Sequence, residues 1–112
     1  MVVYCYDGSE EARRALVVAS QILGERLALV LTVWSSTWSD IAAVPYAILP
    51  QESVDAVETA AHNAATALAA EGATLATGAS AHSKRAAGSV WESILGFSYE
   101  RDAELIVVGS RG

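Results

Sequence analysis

Several things are scarce in this chain, and each scarcity excludes something. Cysteine occurs once, as Cys5, which rules out an intramolecular disulfide and a thiol-rich metal site. Flanked by Tyr4 and Tyr6, it reads as a buried, inert thiol. Cations are outnumbered: 7 Lys and Arg face 13 Asp and Glu, a net charge of -6. That balance argues against nonspecific nucleic-acid or anionic-membrane binding, which needs a basic surface. The longest apolar run, 27–34, is broken by Thr32 and falls far short of the roughly 20 residues that span a bilayer. A strand-like run begins almost at Met1, leaving no room for a signal peptide, so the cytoplasm is the expected compartment. Apolar residues make up 53% of the 112 and charged ones 18%, which fits a single folded domain over 1–112 rather than a disordered chain.

What is present alternates between two periodicities. Residues 2–6 are an apolar, aromatic-rich run suited to a buried strand. Ser9 is a good N-cap, and Glu10 and Glu11 suit the first turn of a helix. Ala12, Ala15, Leu16, Ala19, Ile22 and Leu23 recur at helical spacing, and Gly24 is placed to end that helix. Residues 27–33 read as a second buried strand. The stretch 34–51, with its serines and both prolines, is expected to be a long surface loop. Helix resumes near Glu52, with Val54, Val57, Ala61, Ala64 and Leu68 as its apolar line and Gly72 as its stop. A weaker strand is expected over 73–79, a polar turn over 80–85, and a helix over 87–102 that buries Val90, Trp91, Ile94 and Leu95. Residues 105–108 form the last strand. The order predicts an α/β fold, a doubly wound parallel sheet with helices on both faces and right-handed crossovers.

Ligands of such sheets bind outside the carboxyl ends of the strands, where the winding reverses. With the first strand central and the last on its other side, Asp7 and Gly109 come together. An aspartate at a strand tip can accept two hydrogen bonds from a ribose diol. Glycines 109 and 112 allow a tight turn with N–H groups aimed at phosphate oxygens. Backbone after the second strand, near Val33, can pair with the edge of a flat base. The acidic net charge does not exclude a nucleotide, because backbone N–H groups hold phosphates with little help from lysine. Singly, each piece has a plainer reading: Asp7-Gly8-Ser9 as turn chemistry plus a helix cap, Gly-x-x-Gly as a common structural turn.

Four stretches together resemble the universal stress protein family. They are Val2-Val3-Tyr4-Cys5-Tyr6-Asp7-Gly8-Ser9, Glu11-Ala12-Arg13-Arg14-Ala15-Leu16, Val90-Trp91-Glu92-Ser93-Ile94-Leu95, and Asp102-Ala103-Glu104-Leu105-Ile106-Val107-Val108-Gly109-Ser110-Arg111-Gly112. The resemblance implies the adenine nucleotide alpha hydrolase-like fold. Its ATP-binding branch carries Gly-x2-Gly-x9-Gly-(Ser/Thr) after the fourth strand, and Gly109 and Gly112 match the first two glycines. By resemblance, Asp7 binds ribose, Val33 binds adenine through its backbone, and Gly109 and Gly112 bind phosphates, with Val108 and Arg111 in the same loop. The implied cofactor is ATP, with Mg²⁺ on its phosphates, and the implied partner is a second copy in a homodimer. The third glycine, last helix and fifth strand of the family are not in the chain. Ile106-Val107-Val108 is apolar on both faces, like an interior strand, and as an edge it would be sticky. Helix 10–23 would also lose a neighbour on its face of the sheet. An intact polypeptide about 30 residues longer is therefore expected.

The remaining chemistry-bearing residues read as structural. His62, four residues after Glu58, fits a solvated helix pair, and no third ligand for a metal is near. His82 falls in a polar segment, where it is a surface residue or an anion contact. Trp34, Trp38 and Trp91 read as packing or loop anchors. No Gly-x-Ser-x-Gly elbow is present, and no second acid follows the first strand to support a phosphoacceptor aspartate. No general base or Walker-type lysine is evident, so the expected role is an ATP-binding stress sensor or regulator, not an enzyme, with at most slow hydrolysis. The alternatives are a nucleotide-free dimerising module of the same fold and, less well supported, an adenylating enzyme.

Overall fold

The frame is a four-stranded parallel sheet in the order β3-β2-β1-β4, seen in a computed structural model that describes residues 1–24, 26–35, 51–76 and 78–109. Strand β1 (Val2–Cys5) pairs with β2 (Ala28–Trp34) on one side and β4 (Leu105–Val107) on the other; β3 (Ser80–Arg85) pairs with β2. Val3 stands in register with Leu29 and with Ile106. This central place explains why Val2, Val3 and Tyr4 are all buried although they are adjacent in sequence.

Alternation along the strands divides the core in two. Val2, Tyr4, Tyr6 and Val30 face Ala12 and Leu16 of α1 (Glu10–Leu23), with Leu68 and Ala73 of α2 (Gln51–Leu75) packed against the same cluster. Val3, Leu29 and Leu31 face Ile94 and Phe97 of α3 (Val90–Glu100). Full burial of each such Val, Leu or Phe contributes about 1.5–3 kcal/mol, so both layers matter to stability. The connections from β1 to β2 and from β2 to β3 run the same way across the sheet, and right-handed crossovers place α1 and α2 on one face. The step from β3 to β4 reverses direction and puts α3 on the other. The neighbour of α1 is therefore α2, contrary to the expectation that α1 would lack one.

Three other expectations change. Helix α2 does not stop at Gly72 but continues to Leu75. A Cβ on Gly72 would lie 2.7 Å from Val30 Cγ1 and 3.0 Å from Tyr6 Cδ2, so this glycine marks close helix–sheet contact, not a helix end. The third strand is not 73–79 but Ser80–Arg85, the segment expected to be a polar turn. It is an edge strand whose polar side chains find partners on both faces. His82 meets the Phe97 ring edge-on at 6.0 Å, while Ser83 Oγ lies 3.1 Å from Thr66 Oγ1 and Arg85 donates to Glu58 at 2.8 Å. Glu58 is thus engaged by Arg85, and His62 packs against the Trp34 ring at 5.6 Å. Finally, α3 buries Ser93, Ile94, Phe97 and Ser98, leaving Val90, Trp91 and Leu95 about half-exposed. The expected loop over 34–51 lies, for 36–50, outside the described residues.

Gly72→Ala tests the α2–sheet contact. Alanine favours a helix by up to about 1 kcal/mol over glycine. Overpacking against fully buried Val30 and Tyr6 typically costs about 1–3 kcal/mol, so the expected result is net destabilisation. A lower urea midpoint at unchanged slope reports it; an unchanged or higher midpoint contradicts the packing described.

Candidate functional site

Three strand ends converge on one cleft of about 340 Å³, and the chain makes each end differently. At the end of β1, Asp7 Oδ1 accepts the Ser9 N–H at 2.9 Å, and Gly8 takes the left-handed conformation (φ 83) that a tight turn requires. Ser9 Oγ then accepts the Ala12 N–H at 3.1 Å and caps α1. The plain turn-and-cap reading of Asp7-Gly8-Ser9 is therefore realised, and it coexists with a place on the cleft wall. One carboxylate oxygen holds the turn; Asp7 itself is exposed at the cleft mouth.

At the end of β2 the ladder to β1 is cut short. The Leu31 carbonyl accepts the Tyr6 N–H at 3.0 Å. Backbone groups alternate sides along a strand, so Val33, two residues on, turns its N–H and C=O the same way. The next carbonyl of that segment, Tyr6, is occupied by Thr32 Oγ1 at 2.8 Å. Val33 accordingly opens onto the cleft, whereas Trp34 turns to the other side, where its carbonyl accepts the Ala86 N–H at 2.7 Å. Beyond β4, Gly109 lies on the first turn of α1. A Cβ there would approach Ala12 N to 2.7 Å and Ala12 Cα to 2.9 Å, both rigid helix backbone. Only glycine lets the β4 tip sit this close to the positive end of that helix.

Asp7, Val33, Val108 and Gly109 thus line the same cleft. Arg111 and Gly112 lie outside the described residues. The lining also includes Cys5, Leu31, Ile94, Val90 and Trp91, the last two assigned to the core on sequence alone. Their spacing signal was sound, since Val90 and Trp91 precede Ile94 by four and three residues and share its side of the helix. What differs is the ground beneath them: the first turn of α3 overhangs the point where the strands end. Ser89 caps that turn by accepting the Glu92 N–H at 3.1 Å, and Ser93 Oγ accepts the Ala87 N–H at 2.8 Å, tying the β3–α3 connection to the helix. Among the described residues, no group of three or more His, Cys, Asp or Glu could hold a metal, and no helix is long and apolar enough to cross a membrane.

Cys5, expected to be a buried thiol, is partly buried on the cleft wall, while the Tyr6 ring lies in the α1/α2 layer; burial acts on both. It pushes the Cys5 thiol up from 9.0 to about 11, and it raises the Tyr6 hydroxyl, to which the Glu71 carboxylate adds. A pKa of about 11 against 9.0 leaves about 100-fold less thiolate near neutral pH, and thiolate is the reactive form. The greater nucleophilicity of the higher-pKa thiolate offsets part of this, so iodoacetamide at pH 8 should alkylate Cys5 in the folded protein about tenfold more slowly than in the urea-unfolded chain. Equal rates would show that the thiol is not buried in this way.

The universal stress protein family model matches residues 1–112. No curated protein matches the chain by sequence. Among solved structures, the fold is similar to that of a universal stress protein family member from Burkholderia pseudomallei, at 19% identity and a TM-score of 0.67, over 97% of this chain and 80% of that one. It is also similar to the hypothetical protein MJ0577, the subject of a structure-based assignment of biochemical function, at 20% identity and a TM-score of 0.64, over 99% and 74% of the two chains. A universal stress protein in complex with cAMP aligns at 22% identity and a TM-score of 0.57, over 96% and 73%. At these identities the likeness to solved structures speaks to the fold, and the match to the family model speaks to descent: the chain belongs to the universal stress protein family.

Proposed function

We propose that the protein is a cytoplasmic adenine-nucleotide-binding sensor or regulator that takes ATP in the cleft at the carboxyl ends of β1, β2 and β4. The observation that carries this reading is the convergence of three complementary groups on one cleft of about 340 Å³: the Asp7 carboxylate, the Val33 backbone and the Gly109 tip. That volume lies within the range of about 300–1,000 Å³ usual for small-molecule sites. Asp7 supplies an acceptor for a ribose diol. Val33 supplies an N–H and a C=O to the edge of adenine. Gly109, beside the N-terminal turn of α1, begins the segment that would receive the phosphates, with Arg111 and Gly112 following in sequence. Mg²⁺ would bridge phosphate oxygens and neutralise their charge, a task that needs no protein cage. A relative of the same fold bound to cAMP fits a nucleotide class of ligand.

The same reading makes the protein a binder first and at most a slow ATPase. Lys84 sits on edge strand β3 with its ammonium 5.9 Å from the Phe97 ring centre, away from the Asp7–Gly109 end of the cleft. A homodimer of the intact protein belongs to the proposal too, on the strength of membership of the universal stress protein family.

Calorimetric titration with Mg·ATP should show saturable binding. Absence of both binding heat and a thermal shift at millimolar ATP would overturn the reading. Asp7→Ala should leave a folded domain, because Asp7 is exposed, and weaken ATP about tenfold or more, as loss of a hydrogen bond to a charged group does. Unchanged affinity in the folded variant would remove Asp7 from the ribose role.

A further inference from the structure

We infer that Trp91 is the base-stacking residue of the cleft, an inference that rests on the nucleotide reading above and adds to it the group that holds the face of the base. Val90, Trp91 and Val108 are 49%, 52% and 45% exposed, and all three rim this one cleft. A half-exposed indole is apolar surface left in water, and contiguous surface of that kind marks binding sites. Tyr6, the other aromatic residue in the lining, is buried in the α1/α2 layer, so among the described residues the indole is the accessible ring there.

Its ring is also uncommitted. Among the described residues, the aromatic and cationic contacts go to Trp34 and Phe97, and Trp91 has neither kind. Its backbone, by contrast, is held firmly. The Ser89 cap and the Ser93–Ala87 bond fix the first turn of α3 on either side of it. A flat heterocycle needs recognition on an edge and on a face. Val33 supplies polar backbone groups for the edge, and Trp91 supplies the π surface for the face. The ligand class is therefore a nucleotide whose base is stacked, with affinity that depends on the base.

Trp91→Ala and Trp91→Phe variants, shown to be folded by circular dichroism, test this by calorimetry and tryptophan fluorescence with Mg·ATP. In the unmutated protein ATP should quench tryptophan emission. Trp91→Ala should weaken ATP at least about fivefold, the lower end for loss of one base–aromatic stack. Trp91→Phe should restore most of the affinity yet remove most of the quench, leaving only what Trp34 and Trp38 contribute. A folded Trp91→Ala protein that binds ATP normally overturns the stacking role and leaves the nucleotide reading standing. So does a quench undiminished in Trp91→Phe, or a Phe variant that binds no better than Ala. Absence of ATP binding in the unmutated protein ends both.

Discussion

The hydrogen bond from Thr32 Oγ1 to the Tyr6 carbonyl, buried and 2.8 Å long, sets where the sheet stops and the cleft starts. Threonine suits the position twice over, as a β-branched strand residue and as a hydroxyl donor. A typical internal hydrogen bond contributes only about 0.5–1.5 kcal/mol net, but a buried carbonyl left without a partner costs more. That carbonyl bonds a side chain where the ladder to β1 ends, and Val33 beyond it lines the cleft. The β1 segment can then turn through Asp7 and Gly8 into α1 without a competing strand beside it.

The cleft walls depend in turn on how closely backbone can approach backbone. Gly109 lets the β4 tip rest on the first turn of α1, and Gly72 lets α2 settle onto Val30 and Tyr6. These contacts fix α1 and α2 relative to the sheet on one face. On the other, Ile94 and Phe97 seat α3 over Val3, Leu29 and Leu31, and α3's first turn projects past the strand ends. The cleft is the space under that overhang. Its polar groups come from strand ends and its apolar ones from the helix, a division common to small-molecule sites on α/β sheets. Keeping Val90, Trp91 and Val108 in water gives up burial that the core would have rewarded, and departures of that kind cluster where a protein does its work.

Much of the fold was legible because local rules and tertiary structure agree. The run 2–6, the Ser9 cap with its two following glutamates and the 27–33 run all appear within a residue or two of where they were expected. The place of β4 beside β1, supposed in reading the sequence, is the one the sheet adopts, and it brings Asp7 and Gly109 to one end. Strand β3 was not legible. Ser80-Ala81-His82-Ser83-Lys84-Arg85 has no apolar alternation, since an edge strand can satisfy polar side chains on both faces, here with Thr66, Glu58 and Phe97. Ala73-Thr74-Leu75 joined α2 for the complementary reason: Ala73 and Leu75 are good helix formers and continue the helix once Gly72 is tolerated.

By itself the sequence determined the elements other than β3, the capped turn at Asp7-Gly8-Ser9, the glycine after β4 and the family to which the chain belongs. All of these are written in residue type and short-range spacing. Only the tertiary structure decided which apolar residues stay in water, and so which of them meet a ligand. Val90 and Trp91 carry the same periodic signal as Ile94 and Phe97. Periodicity specifies the side of a helix, but burial depends on whether a strand from elsewhere in the chain still runs beneath it, and under the first turn of α3 it does not.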